Sequence, residues 1–170
     1  MWRTLLLSAQ VTAIVAAIGY ALAYSIVRFS RRTTLLLLLV ILPFWTSYII
    51  RMYAWINILQ SGGVLDSILG LVGLPAVGLL YTETAVRIGF TYVWLPLAVL
   101  PFYASLSSLD PDLIEASKDL GAGPIRTFVS VTLPLTATGV ITGLVLVFIP
   151  TFGSFITPRL LGGTNNIMIG

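Results

Sequence analysis

Apolar residues fill this chain in stretches too long for a soluble helix, and the polar residues that interrupt them fall into a few tight groups. A membrane crossing needs about 20 consecutive apolar residues at about 1.5 Å of rise each. Residues 5–27 meet that length, with Gln10 and Thr12 inside and Arg28, Arg31 and Arg32 directly after. The next stretch, residues 35–59, holds Pro43, where a bend is expected, and Arg51. A third runs over residues 86–106 with Pro96 and Pro101 inside, and a fourth over residues 135–156 with Pro150. Prolines are tolerated in such spans because neighbouring helices and waters satisfy the freed carbonyls.

Residues 64–80 are also apolar but carry Asp66, Gly70, Gly73, Pro75 and Gly78. Only residues 64–74 read as unbroken helix there, about 16 Å at the helical rise, or half a bilayer. This piece reads as an interfacial or re-entrant connection, which leaves four crossings with both ends outside. The first residues resemble a secretory signal in having Arg3 and a small-residue site at Ala21-Leu22-Ala23. The apolar stretch is too long for one, however, and three arginines follow it, so a membrane span is the expected reading. The arginine cluster after residue 27 makes its side cytoplasmic. With four crossings, the loop at 107–134, which adds Lys118 and Arg126, lies on that same side.

Composition agrees. Of 170 residues, 58% are hydrophobic and 9% charged, whereas a globular domain carries roughly a quarter charged residues. Mean hydropathy is +1.03. A net charge of +3 without a basic run gives no footprint for nucleic acid. The sequence has neither cysteine nor histidine, which removes thiol chemistry, the commonest metal ligand and the commonest general base. No GxxxxGK[ST] phosphate loop is present. The expected fold is all-α: a single polytopic membrane domain over residues 1–170, with about four transmembrane helices.

The loop at 107–134 departs from this lipid-facing pattern, because it gathers four of the six carboxylates. Asp110 is placed to cap a helix, Pro111 suits its first position, and Asp112 complements its positive end. Gly121 supplies a residue able to turn left-handed at the helix C-terminus. Gly123-Pro124 then opens a second short helix over residues 125–133, and Pro134 precedes the last span.

Glu115-Ala116-Ser117, then Gly121, then Val131-Thr132-Leu133-Pro134 resembles the EAA signature of ABC-importer permease subunits, with Ser117 and Val131 as conservative departures. "LPFWTSYIIRMYAWINIL", "VWLPLAVLPFYASL" and "IPTFGSFITPRLLGG" are similar to the spermidine/putrescine permease branch of that family. The resemblance implies that the two short helices couple the membrane domain to cytoplasmic ATPase subunits, with Asp112, Glu115, Ala116, Gly121, Ala122 and Pro134 as coupling residues. It also implies a second permease subunit and a periplasmic or extracellular substrate-binding protein as partners. ATP and Mg would be bound by the partner ATPase, with no cofactor and no catalytic residue in this chain. Since the family has six spans, the resemblance covers the second to the fifth, as a fragment would.

Candidate pathway residues are Trp45, Tyr48, Arg51, Tyr53, Trp55, Tyr92 and Trp94. Aromatic faces attract cations such as polyamines, although tryptophan and tyrosine also gather at membrane interfaces. Thr46, Ser47 and Asn57 offer neutral hydrogen bonds. Arg51 fits either an anion or a structural ion pair, to Glu83 or to a partner subunit. Related importers of iron(III), sulfate or phosphonate share parts of these segments, and a non-transport membrane scaffold is the reading from another class.

Overall fold

The structure, a computed structural model, describes residues 2–163 and is helical throughout, with no strand among those residues. Helix α1 (Trp2–Phe29) is followed by α2 (Thr33–Ile41), a 3-10 turn (Leu42–Trp45), α3 (Tyr48–Leu59) and α4 (Val64–Leu71). Then come α5 (Glu83–Ser107), α6 (Pro111–Asp119), α7 (Pro124–Thr127), a π-helical segment (Phe128–Thr132), α8 (Leu133–Leu135), α9 (Ala137–Gly153) and α10 (Ile156–Leu161).

The core is a three-helix packing of α1, α5 and α9. In α1 the buried residues Thr4, Leu7, Ser8, Val11, Thr12, Val15, Gly19, Ala23 and Ile26 recur every three or four positions, as one helix face requires. Phe102 of α5 is fully buried. It fits between two helices only because both lack side chains opposite it. A Cβ at Gly19 would lie 3.3 Å from its Cε2 atom, and one at Gly143 would collide with the ring. Helix α2 is apolar all round and buries no residue within the chain, as suits a helix surrounded by lipid or by another subunit.

Among the described residues, α1 and α5 are the single helices long and apolar enough to cross a membrane. The count rises to four if each of two bent helix pairs is one span. The second expected span is one of these bent pairs: the helices over Thr33–Trp45 and Tyr48–Leu71 meet at 95°. The break also lies after Pro43 rather than at it. Proline at the first turn of a helix gives up an N–H that would be unpaired anyway. Pro43 opens the 3-10 turn, which closes when Thr46 donates to the Pro43 carbonyl from its N–H (3.3 Å) and its hydroxyl (2.7 Å). The extended backbone of Thr46 and Ser47 then redirects the chain.

The last span is shorter than expected. It begins at Ala137, after a 68° bend, and ends at Gly153, where Ser154 turns extended before α10. By contrast α5 continues through Pro96 and Pro101. In the 64–80 region, α4 ends at Leu71, three residues earlier than expected, and is far too short to cross. Its Asp66 accepts from the N–H of Gly62 (2.8 Å) and Val77 (3.0 Å), closing the connection into a compact loop. Leu80 then donates to Leu59 (3.0 Å) and Tyr81 to Leu161 (2.8 Å), fastening the loop to the ends of α3 and α10.

Candidate functional site

The polar loop folds as a projection of two short helices, and its local chemistry follows the sequence closely. Asp110 is extended and its Oδ1 accepts from the Asp112 N–H at 3.0 Å, with Pro111 in the first helical position. Asp112 lies at the positive end of α6 and Lys118 in its last turn, so both charges complement the helix dipole. Past the end of α6, Gly121 has φ +79°. Its N–H donates to the Lys118 carbonyl at 2.8 Å, and the Ala122 N–H to that of Ser117 at 3.1 Å. That pair of bonds is a Schellman closure, which needs a left-handed residue at this position. Gly123 is extended and Pro124 starts α7.

Three further contacts stiffen the projection, and the sequence reading missed all of them. The hydroxyls of Ser117 and Thr127 are 3.1 Å apart, joining α6 to α7, and Thr127 is buried. Phe128 makes edge-on ring contacts with Tyr20 (5.9 Å) and Tyr24 (5.7 Å) of α1. The Tyr20 hydroxyl also meets Thr136 Oγ1, in the break between α8 and α9. A tyrosine pair one helical turn apart, on a stretch of α1 otherwise small and aliphatic from Val11 to Val27, was the one available signal. The second short helix is also longer than expected, running from Pro124 to Leu135 with five residues wound as a π-helix.

Of the expected coupling residues, Asp112, Glu115, Ala116, Gly121 and Pro134 are exposed and Ala122 is half-buried. Glu115 makes no ion pair within the described residues. The projection's tip is apolar: Leu120 is 88% exposed and Ile125 79%. A groove beside it is lined by Leu113, Ala116, Ser117, Leu120, Ala122 and Arg126.

The expected pathway residues do not form one cluster. Tyr48 and Arg51 come together: the Arg51 guanidinium lies 5.5 Å from the Phe44 ring centre and 5.9 Å from that of Tyr48. The Tyr48 hydroxyl bonds to Thr157. Trp55 and Tyr92 form an edge-on pair at 5.4 Å. Trp45 and Tyr53 are exposed on the surface of the bundle, and Trp94 is half-buried, with an indole N–H that has no partner among the described residues. Thr46 and Asn57 spend their side chains on local backbone carbonyls. Of the options open to Arg51, the pair with Glu83 does not form. Glu83 instead binds Arg3 (3.2 Å) and Arg87 (2.9 Å), the latter one turn away on its own helix. Arg51 is buried.

This combination of apolar helices and a capped polar projection has parallels among known proteins. The family model for the binding-protein-dependent transport system inner membrane component matches residues 11–169. The chain is 40% identical over 174 residues to the spermidine/putrescine transport system permease protein PotB of Haemophilus influenzae, covering 100% of this chain and 60% of that protein. To PotB of Escherichia coli it is 39% identical over 157 residues, covering 90% of this chain and 57% of the relative. To the inner membrane ABC transporter permease protein YdcU of Escherichia coli it is 38% identical over 175 residues, covering 94% and 56%. The chain thus spans less than two thirds of the length of these relatives. Those relatives are permeases, and with a family match over almost its whole length the chain belongs to the binding-protein-dependent transport system inner membrane components.

Proposed function

We propose that the chain is the membrane-spanning part of a permease subunit in an ATP-driven importer of the cytoplasmic membrane, with polyamines such as spermidine and putrescine as cargo. The observation that carries this reading is the build of the projection. A knob that passes force needs fixed ends, an internal brace and an anchor in the spans. The Schellman closure at Gly121 fixes the end of α6, the Ser117–Thr127 contact braces the two helices, and Phe128 seats them on α1. Exposed Leu120 and Ile125 give the tip an apolar surface for a partner.

In this reading the projection is cytoplasmic and docks on an ATPase subunit, which binds ATP and Mg and performs hydrolysis. Closure of the ATPases moves the projection. The motion passes through Phe128 and the Thr136 break to α1 and α9, and the spans open outward to receive cargo from a substrate-binding protein. The polyamine assignment rests on the names of the PotB relatives and on the sequence segments shared with that branch.

Uptake by the full-length subunit, assembled with its ATPase and partner permease, tests this. Radiolabelled spermidine should enter in an ATP-dependent way while labelled sulfate does not. ATP-dependent sulfate uptake without spermidine uptake would overturn the cargo.

A further inference from the structure

Helix α9 loosens at the end away from the projection, whereas α10, just beyond it, is held from three sides. Pro150 has no N–H to give the Leu146 carbonyl, so the end of α9 lacks one of its bonds. Thr151 donates its hydroxyl to the Val147 carbonyl at 2.6 Å, a back-bond of the kind that bends helices. Gly153 closes the helix in open space, where a Cβ would meet nothing within 4 Å. Ser154 is then extended (ψ 127°), so the chain changes direction directly after Gly153.

The seat of α10 is built from α3, α5 and the residue before the α5 cap. Thr157 is fully buried, and its hydroxyl donates to Met52 Sδ at 3.5 Å, which leaves the Tyr48 hydroxyl as donor to Thr157. The Ser154 hydroxyl also reaches that of Tyr48, at 3.5 Å, so the seat begins at Ser154. Leu161 is fully buried in a notch left by Gly89 of α5, where a Cβ would collide with it. Its carbonyl accepts from the Tyr81 N–H at 2.8 Å. Tyr81 makes that bond at φ +67°, a conformation that a bulky residue keeps only where its surroundings fix it.

At its other end α9 starts from the 68° bend at Thr136. Between the two ends its close approaches to α5 fall at glycines. A Cβ at Gly139 would lie 2.7 Å from the Pro101 carbonyl oxygen, and one at Gly143 would collide with the Phe102 ring. Neither position carries a side chain that must disengage when α9 turns.

We propose that residues 150–153 are a hinge about which α9 swings, while α10 stays locked to α3 and α5 as its fixed seat. The inference rests on the coupling reading above and says where the motion ends. Projection and Thr136 break move one end of α9, and the far end pivots instead of dragging α10 from its seat. Hinges of this kind are a few element-terminal residues that absorb the change in backbone angles.

The test uses the full-length subunit in the assembled transporter, with spin labels on pairs of exposed positions. One pair, Ala54→Cys with Arg159→Cys, lies within the seat, and the other, Ile141→Cys with Arg159→Cys, spans the hinge. A swing of about 10° moves the Thr136 end of a 17-residue helix, about 25 Å long, by about 4 Å. Between the nucleotide-free and the ATP- and vanadate-trapped states, the pair spanning the hinge should therefore shift by several ångströms while the seat pair holds still. Pro150→Ala combined with Gly153→Ala restores the missing N–H and removes backbone freedom without a collision. That variant should hydrolyse ATP yet import several-fold less spermidine per ATP, with a smaller shift across the hinge.

A seat pair that shifts as much as the pair spanning the hinge overturns the proposal. So does wild-type uptake per ATP by the stiffened variant, or a transporter that imports spermidine with neither distance changing. A wild type that imports nothing in response to ATP would instead sink the importer reading itself.

Discussion

The Tyr20 hydroxyl lies 2.8 Å from Thr136 Oγ1, joining the middle of α1 to the break before α9. Thr136 is fully buried and its own hydroxyl donates back to the Thr132 carbonyl at 2.9 Å, so Tyr20 acts as donor in this contact. In the proposed coupling, motion of the projection passes this point on its way to α9. Tyr20→Phe should cost about 1 kcal/mol of stability while leaving the ring contact with Phe128. Thr136→Val removes both hydrogen bonds and should cost more. Uptake per ATP hydrolysed, in the assembled transporter, should fall in both variants and further in Thr136→Val. Unchanged coupling in both would remove this contact from the transmission route.

Gly121 admits a sharper test, because nothing lies within 4 Å of a Cβ built there. Any effect of substitution then comes from its φ of +79° rather than from collision. Asparagine adopts the left-handed region with modest strain, whereas a β-branched residue resists it at roughly 1–2 kcal/mol. Gly121→Asn should retain most uptake, and Gly121→Val should insert normally yet lose coupling. Equal behaviour of the two variants would mean that the closure at Gly121 has no part in coupling.

The projection was legible because its signals are local. Asp110, Pro111, Gly121 and Gly123-Pro124 each act on the backbone within a few residues, so position alone predicts their effect. The anchoring of that projection was not legible. Phe128 meets Tyr20 and Tyr24 across more than 100 residues, and the five-residue π segment leaves no local mark. The same distinction explains the second span. Pro43 correctly announced irregularity, yet the break fell where Thr46 closes the turn on the Pro43 carbonyl. Charge pairing failed likewise: Arg87 stands four residues from Glu83 on the same helix, and Arg3 approaches from α1, so Arg51 had no claim on that carboxylate.

Asp66 should make the loop after α3 sensitive to acid. The backbone N–H of Gly62, then that of Val77, holds its carboxyl below the ordinary carboxylate value. Because the folded pKa is the lower one, this stabilisation is complete above the unfolded pKa of about 3.9 and is lost as pH falls through the folded value. A spin label on Gly70→Cys, an open position, should be restrained at neutral pH and loosen in acid below that range. With Asp66→Asn added, the label should already be mobile at pH 7 and show no acid step. The same acid step in both proteins would assign the transition to another group.

Sidedness can be read by labelling in intact cells. Ser117 is half-buried and engaged with Thr127, so Lys118, which is exposed, is the better probe of the projection. With a membrane-impermeant thiol reagent, Ser67→Cys should react from outside, and Lys118→Cys only after the cytoplasmic face is opened. Reaction of both from one side would overturn the four-crossing arrangement.

Phe102 between Gly19 and Gly143 predicts a size exchange across the bundle. A side chain at Gly143 would run into the ring, which cannot retreat because Gly19 of α1 lies against its other edge. Gly143→Val should therefore destabilise by about 1–3 kcal/mol, as overpacked cores do. Phe102→Leu alone removes buried ring volume, and a cavity of that kind also costs about 1–3 kcal/mol, depending on how far the site collapses. Combined, the added methyl groups fill space that the smaller side chain has vacated, so the double variant should be more stable than the sum of the single losses predicts. Thermal unfolding in detergent of all four proteins gives the coupling. If the losses simply add, Phe102 and Gly143 are not in contact and the three-helix packing is wrong at its centre. A positive coupling would fix the approach of α5 to α9 directly, and with it the path by which the Thr136 break can move the spans.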